Sequence, residues 1–375
     1  MNKVMMLLVL VRWQRSAVFL CLILSMFCVS PAWVLADEDA KGADAAAREE
    51  FSYEVVTVLT TDDRGDHLRM PSGLFFDSRA DELYVLNGGD GQIIVYGPDF
   101  FPQESLGKGR GINTPVDGVF TSEGNILIPQ SGGPGQSPRL TMINSAFLPV
   151  KEISLAGVPD ITNFFPAHIA VGKDGAIYLT GLESSRVLML SADGSFSRWL
   201  MVPVGSGGVY QAYGADQQGK TAKIRNVAVD SLGNLFLLSE ETSKTYVFDP
   251  QGNYLFAFGT KGGAEGKLSR PRALAIDEKN KCIYVVDYMR HTVLIYDFTG
   301  AFRFEFGGLG WSAGWFNYPV DIVVGRQGQV VVADLFNQRA QVFGVTVSDF
   351  PERPSTLWQA QPVKSDQQQV SPENP

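Results

Sequence analysis

The chain has 375 residues, of which 45% are hydrophobic and 19% are charged, and its formal net charge is −9. This composition is typical of a soluble protein with ample apolar material for a core, and it argues against a chain that is disordered throughout. A strongly acidic protein repels phosphate backbones, so we expect no nucleic-acid partner.

Residues 1–36 have the three-part layout of a secretory signal peptide. Arg12 and Arg15 precede an apolar run at 17–29, and the small-residue segment Val34-Leu35-Ala36 follows. We therefore predict cleavage after Ala36. Cleavage also removes three basic residues and no acidic one, which takes the formal net charge of the mature chain from −9 to −12.

An uncleaved membrane anchor is the alternative for this segment, because residues 17–35 are nearly long enough to span a bilayer. Contact with a membrane is expected only in that case. In both cases the sequence predicts an exported bacterial protein. It would be located in the periplasm, at the cell surface or outside the cell.

Cleavage would leave Cys282 as the last cysteine, so no disulfide is expected within the mature chain. Haem-attachment and cysteine-zinc motifs are absent as well. Because Cys282 lies in an apolar run, we expect its side chain to be buried and to pack as a small hydrophobic residue.

Composition divides the rest of the chain into three segments. Residues 37–50 are acidic and alanine-rich, as in a linker, and residues 348–375 are polar and rich in proline and glutamine. The second of these has too little apolar material to fold alone, so we expect it to be disordered. Residues 51–347 form the predicted folded domain.

The segment 270–307 is the clearest copy of a repeat within this domain. It contains four short runs of β-branched and aromatic residues, separated by turns rich in Asp, Gly and Asn. This pattern predicts four antiparallel strands. One such sheet cannot cover both of its faces, so it needs neighbouring copies.

Six copies can be aligned on an opening anchor residue that precedes three apolar positions. The anchors are Pro71, Pro115, Pro166, Ile224, Pro271 and Pro319. Their spacing of 44 to 58 residues is typical of propeller blades. In every copy the second strand is predicted to end 15 or 16 positions after the anchor, at Asn87, Gln130, Gly181, Ser239, Asp287 and Asp334. The sequence therefore predicts an all-β, six-bladed β-propeller of four-stranded antiparallel blades.

The two ends of the domain supply the last blade. The run 51–60 reads as a strand with no partner in its own repeat, whereas the sixth copy ends after its third strand at Val347. We predict that the N-terminal strand joins the last blade and closes the ring. Closing the ring in this way leaves no half-finished edge in the last blade, and we expect a monomer.

Two stretches of the domain, 266–287 and 314–343, resemble the NHL repeat, a motif of six-bladed propellers. The resemblance extends over residues 51–347 and is closest in the last two blades. It is specific for the fold and uninformative about activity, because the motif residues occupy turn and core positions. Resemblance to exported bacterial NHL proteins implies a protein partner, with envelope or respiratory cytochrome assemblies as candidates.

A candidate metal site lies two positions after each anchor, on the side of the propeller where the chain enters each blade. The residues there are Gly73, Asp117, His168, Asn226, Ala273 and Asp321. If they surround the channel mouth, Asp117, His168, Asn226 and Asp321 offer oxygen and nitrogen ligands for Ca²⁺ or Zn²⁺. Such an ion would act as a Lewis acid, as in propeller lactonases or the peptidyl amidating lyases that resemble NHL proteins.

The opposing interpretation assigns these residues to structure. Asp and Asn commonly cap turns at the start of strands, and Asp287 and Asp334 are predicted to do so. The lyase pattern needs several channel histidines, yet only His168 of the three histidines falls at a ring position. We therefore expect no cofactor in the favoured reading.

Aromatic residues in the loops on the same side form the other candidate site. They are Phe164, Phe165, Tyr210, Tyr213, Trp311 and Trp315. Aromatic side chains held on a rigid scaffold are typical of binding surfaces. The favoured function is thus a non-enzymatic scaffold that binds a protein partner, and the alternative is a metal-dependent lactonase or lyase.

Overall fold

The computed structural model describes residues 51–132, 136–205 and 220–347. In chain order the strands are β1 (Phe51–Leu59), β2 (Pro71–Asp77), β3 (Glu82–Asn87), β4 (Gln92–Tyr96), β5 (Pro102–Leu106), β6 (Val119–Phe120), β7 (Ile126–Gln130), β8 (Arg139–Ile143), β9 (Pro149–Ser154), β10 (Pro166–Val171), β11 (Ile177–Gly181), β12 (Arg186–Leu190), β13 (Phe196–Met201), β14 (Pro203–Val204), β15 (Lys220–Thr221), β16 (Asn226–Val229), β17 (Leu235–Ser239), β18 (Lys244–Phe248), β19 (Tyr254–Phe258), β20 (Pro271–Asp277), β21 (Cys282–Asp287), β22 (Thr292–Asp297), β23 (Phe302–Gly307), β24 (Pro319–Val324), β25 (Val330–Asp334) and β26 (Arg339–Val347). Two short 3₁₀ turns occupy Lys108–Arg110 and Leu335–Asn337.

Six four-stranded antiparallel sheets form the blades of a propeller. Blades 1 to 5 consist of β2–β5, β6–β9, β10–β13, β16–β19 and β20–β23, and a small β14–β15 hairpin separates blades 3 and 4. All six second strands end at the residues that the repeat predicted. The predicted six-bladed fold is confirmed.

Blade 6 has the order β1-β26-β25-β24, so the N-terminal strand is its outermost member. The ring of Tyr53 in β1 lies 4.6 Å from the ring of Phe306 in blade 5 and 6.1 Å from that of Phe343 in β26. These contacts pack the outer strand against β26 of its own blade and against blade 5. The predicted closure by the N-terminal strand is confirmed.

The core lies between successive blades, where the middle strands of one sheet pack on those of the next. Phe236 and Leu238 of blade 4 pack with Ile283 and Val285 of blade 5 in one such layer. Cys282, the first residue of β21, is fully buried, as predicted. Each blade therefore covers a face that its neighbour cannot cover by itself.

The residue three positions before an anchor is buried in four blades. Leu68, Ile112, Leu268 and Phe316 are all fully inaccessible to solvent. Their side chains fill the space beneath the loops that lead into these four blades. This position explains why Phe316 belongs to the core although it lies between exposed aromatic residues.

The first strands of blades 1, 3, 5 and 6 carry a β-bulge at their start. In each case the pairing with the second strand shifts between the anchor proline and the residue two positions later. The bulge adds one unpaired residue and changes the direction of the strand. As a result, the residues one and two positions after the anchor line successive layers of the central channel.

Several predicted segments lie outside the described residues: the signal peptide 1–36, the linker 37–50, the tail 348–375, and Tyr210 and Tyr213. Among the residues that the structure describes, no helix has the length and apolar character needed to cross a membrane.

Candidate functional site

Three of the four predicted ring residues meet at the channel axis. The ligand atoms of Asp117, His168 and Asp321 all lie within 4.8 Å of one another, and all three side chains are buried. Asn226 lines the same cavity, whose volume is about 220 Å³. The four polar residues two positions after their anchors therefore line the channel, as the repeat register predicted.

Both carboxylates also connect neighbouring first strands. Asp117 accepts the N–H of Gly118 at 2.8 Å and, from the next blade, the N–H of Ile169 at 2.9 Å. Asp321 repeats this arrangement with Ile322 at 2.9 Å and with Leu74 of blade 1 at 2.7 Å. Each carboxylate thus satisfies backbone donors that face the channel, which is a structural role.

The electrostatics of this cluster follow from its burial. His168 Nδ1 lies 3.3 Å from Asp117 Oδ2. Burial raises the pKa of the Asp321 carboxyl to about 7, with Asp117 adding to the rise and His168 opposing it. Two carboxylates in this low-polarity setting favour a bound proton or a cation between them.

Asn226 adds a polar atom without a partner. Its Oδ1 is buried and accepts no hydrogen bond from any residue in the described ranges. Buried oxygens normally have a donor, so this atom is available to a ligand in the channel. Together with the two carboxylates and the imidazole it completes a mixed oxygen and nitrogen set, which suits Ca²⁺ or Zn²⁺.

A second cavity, of about 480 Å³, lies at the channel mouth. Residues of all six blades line it, because the position one after each anchor belongs to its wall: Ser72, Val116, Ala167, Arg225, Arg272 and Val320. The predicted ring is therefore one layer deeper than the mouth itself. Sequence reasoning missed Arg225 and Arg272; reading the repeat one position earlier would have found them.

The loops before the first strands and the turns between the second and third strands lie at one end of every antiparallel blade. We call this end the mouth face. It comprises the described residues of 60–70, 88–91, 107–118, 131–138, 155–165, 182–185, 202–225, 240–243, 259–270, 288–291, 308–318 and 335–338.

Exposed apolar side chains favour the mouth face. Of 16 large hydrophobic residues that are exposed in the described ranges, eight lie in its loops: Met70, Phe165, Leu182, Met289, Leu309, Trp311, Trp315 and Phe336. The loops at the opposite end carry three, Phe101, Leu148 and Leu232. This asymmetry marks the mouth face as the candidate binding surface.

The predicted aromatic residues divide between surface and core. Trp311 is 80% exposed, Trp315 50% and Phe165 48%. The predicted binding role of Phe164 is wrong, because this ring is only 3% exposed and packs at 5.3 Å against the ring of Trp199. It fills the space under its loop and cannot reach a partner.

Comparison with known proteins supports the fold. A family model described as a 6-bladed beta-propeller matches residues 217–307, about a quarter of the chain. The chain is also similar to Protein brain tumor of Drosophila melanogaster, with 31% identity over 110 residues that make up 26% of this chain. The match spans only 10% of the length of that curated relative.

Solved structures with the same fold have diverse functions. An auxiliary nutrient binding protein from Bacteroides thetaiotaomicron aligns over 79% of this chain and 77% of its own, with a TM-score of 0.59 and 13% identity. Virginiamycin B lyase from Staphylococcus aureus aligns over 78% of this chain and 99% of its own, with a TM-score of 0.53 and 14% identity. At these identities the likeness concerns the fold alone.

Proposed function

We propose that this protein is an exported, non-enzymatic propeller of the NHL type that binds a partner protein through its mouth face. The observation that carries the proposal is the concentration of exposed apolar side chains on that face. Apolar side chains of this size, held by a rigid scaffold, supply the anchors of protein interfaces.

The loop 308–318 holds its tryptophans in place before any partner arrives. Arg339 donates hydrogen bonds to the carbonyl oxygens of Trp311, Ser312 and Trp315 at 2.8 to 2.9 Å. Its Nε is bonded in turn to the buried carboxylate of Asp334 at 2.8 Å. A loop fixed in this way loses little conformational entropy on binding, which favours affinity.

Three further features belong to this proposal. The signal-like N-terminus supports export, and propellers of similar fold include auxiliary nutrient binding proteins from Bacteroides. The resemblance to exported NHL proteins favours an envelope or respiratory cytochrome assembly as the partner. We expect the protein to be a monomer when it is free, because β1 completes the last blade.

The test is affinity capture from the native cell envelope with matched variants. Wild-type protein should retain a specific partner, and Trp311→Ser combined with Trp315→Ser should lose it. Phe101→Ser is the control, because Phe101 is 70% exposed at the opposite end. Equal capture by all three proteins would contradict the proposal.

A metal-dependent lactonase or lyase is the second candidate function. It is favoured by the cluster of Asp117, His168 and Asp321 together with the partnerless Asn226 Oδ1. When bound, the ion would supply a Lewis acid to a ligand in the channel. The chain's own residues would hold that ion between blades 2, 3, 4 and 6.

Metal analysis of the purified protein separates the two candidates. A tightly held ion, present at one per chain and lost on Asp117→Asn and on His168→Gln, would favour the enzyme. Asp99→Asn, which changes an acidic residue of an exposed turn, should leave the metal content unchanged. A protein that is metal-free in the presence of Ca²⁺ and Zn²⁺ would exclude this candidate.

A further inference from the structure

We propose that the cavity at the channel mouth binds a small organic anion, a carboxylate attached to an apolar body, through Arg225 and Arg272. The site does not include the tryptophan loop, and it lies above the acidic ring, with which it shares His168. It rests on the charge and the lining of the mouth cavity, so it goes beyond the proposed partner binding.

Arg225 is a half-buried cation with no carboxylate at ion-pair distance among the described residues. Its Nε is inaccessible to solvent and has no hydrogen-bond partner, and Arg225 forms no ion pair with a residue in the described ranges. Burial lowers its pKa, and so does the neighbouring Arg272; Glu240, Asp321 and Glu183 oppose this from a distance. A desolvated charge without a partner is unfavourable unless an anion binds beside it.

Arg272 presents a second donor to the same cavity. Its Nη1 lies 3.5 Å from Glu240, and its guanidinium lies 4.7 Å from the ring centroid of Tyr288. The Nε of Arg272 is also buried without a partner among the described residues. Tyr288 holds the guanidinium plane in a fixed orientation, so this donor is already oriented for a ligand.

The balance of charge around the mouth favours an anion. Glu240 pairs with both Arg270 and Arg272, whereas Arg225 has no carboxylate at ion-pair distance in the described part of the chain. The buried acids Asp117 and Asp321 lie one layer deeper. Acidic groups at that depth disfavour an anion inside the channel and restrict it to the mouth.

The remaining wall of the cavity is apolar. Eight of its residues carry hydrocarbon or thioether side chains: Met70, Pro115, Val116, Pro166, Ala167, Leu182, Val320 and Leu335. Its volume of about 480 Å³ lies within the range of small-molecule sites, which is roughly 300–1,000 Å³. A planar carboxylate matches the fork of a guanidinium, and the apolar wall suits a hydrocarbon body better than a second charged group.

The test uses matched pairs of ligands at constant ionic strength. Acetate, hexanoate and 4-phenylbutanoate are compared with the corresponding alcohols by thermal shift and isothermal titration calorimetry. The carboxylates should raise the Tm, and 4-phenylbutanoate should have the largest effect because it fills most of the cavity. Inorganic phosphate serves as the anion without an apolar body and should bind more weakly than 4-phenylbutanoate.

Arg225→Met and Arg272→Met should each weaken binding of 4-phenylbutanoate by at least about tenfold, since each removes a charge-assisted hydrogen bond. Arg326→Met is the matched control, because it removes the same charge from an exposed turn at the opposite end. Without ligand, Arg225→Met should have a Tm equal to or above that of wild type. A purely structural arginine would instead lower the Tm when removed.

The proposal is overturned if no carboxylate raises the Tm more than its alcohol, or if both methionine variants bind as wild type does. It is also overturned if Arg225→Met lowers the Tm while the affinity stays unchanged. The double variant Trp311→Ser, Trp315→Ser should bind 4-phenylbutanoate normally. Loss of the protein partner and loss of the anion can therefore be distinguished.

Discussion

The carboxylate of Asp321, in the first strand of blade 6, accepts a hydrogen bond of 2.7 Å from the backbone N–H of Leu74, in the first strand of blade 1. The two residues are 247 positions apart in the sequence. The ring is thus closed twice, by this bond at the channel and by β1 on the outside. Asp117 and Ile169 make the equivalent bond between blades 2 and 3.

Asp321→Ala should destabilise the propeller. It leaves the buried N–H groups of Leu74 and Ile322 without an acceptor, which costs about 2–4 kcal/mol of unfolding free energy. Asp321→Asn keeps one carbonyl oxygen and should lose less. Urea unfolding measures both, with the exposed Glu123→Ala as a control expected near zero. If Asp321→Ala lowers the unfolding free energy no more than Glu123→Ala does, the role of this bond is contradicted.

The stability that depends on Asp321 should fall as the pH rises. Burial raises its pKa to about 7 from an ordinary value of 3.8. The folded protein therefore holds a proton that the unfolded chain releases between these values, so raising the pH through this window favours unfolding. The difference in unfolding free energy between wild type and Asp321→Asn, measured with a chelator present, should favour wild type more at pH 5 than at pH 8. The reverse order would refute the assignment.

Removal of β1 should convert the monomer into aggregates. Without residues 51–59, β26 becomes an open edge with unpaired N–H and C=O groups, and Phe306 and Phe343 lose their contact with Tyr53. Size-exclusion chromatography should show higher-order species. Val56→Thr, a change at an exposed position of the same strand, should remain monomeric. A soluble, monomeric truncation would show that the outer strand is dispensable.

Asp287→Ala should loosen blade 5 at the mouth face. The Asp287 carboxylate accepts the N–H groups of Ser269 and Arg270 in the preceding loop and those of Met289 and Arg290 in its own turn. Losing these bonds should lower the unfolding free energy by about 2–4 kcal/mol. Guanidinium unfolding is the measurement.

Asp287→Asn should be milder than Asp287→Ala. Asn87 occupies the equivalent position in blade 1, and its amide oxygen accepts the N–H of Arg69. An amide can therefore replace the carboxylate at this point of the repeat. If the asparagine and alanine variants are equally unstable, the charge matters more than the hydrogen bonds.

Much of the fold could be read from the sequence because each blade is a local unit. Strands, turns and the buried plug before each anchor depend on residues within about 50 positions, and the repeat shows the same pattern six times. The turn-capping prediction for Asp287 and Asp334 is confirmed for the same reason, since both accept hydrogen bonds from a loop that lies within 20 residues.

The sequence by itself determined the number of blades, the ends of their second strands, the partner of the N-terminal strand and the four polar residues that approach the channel. Only the tertiary structure decided that Phe164 is buried, that Arg225 and Arg272 face one cavity, and that Asp321 binds Leu74. The physical reason is that these features depend on the bulge at the start of the first strands and on packing between blades. Packing between blades has no local signature, because the groups that meet are distant in the sequence; Leu74 and Asp321, for example, are 247 positions apart.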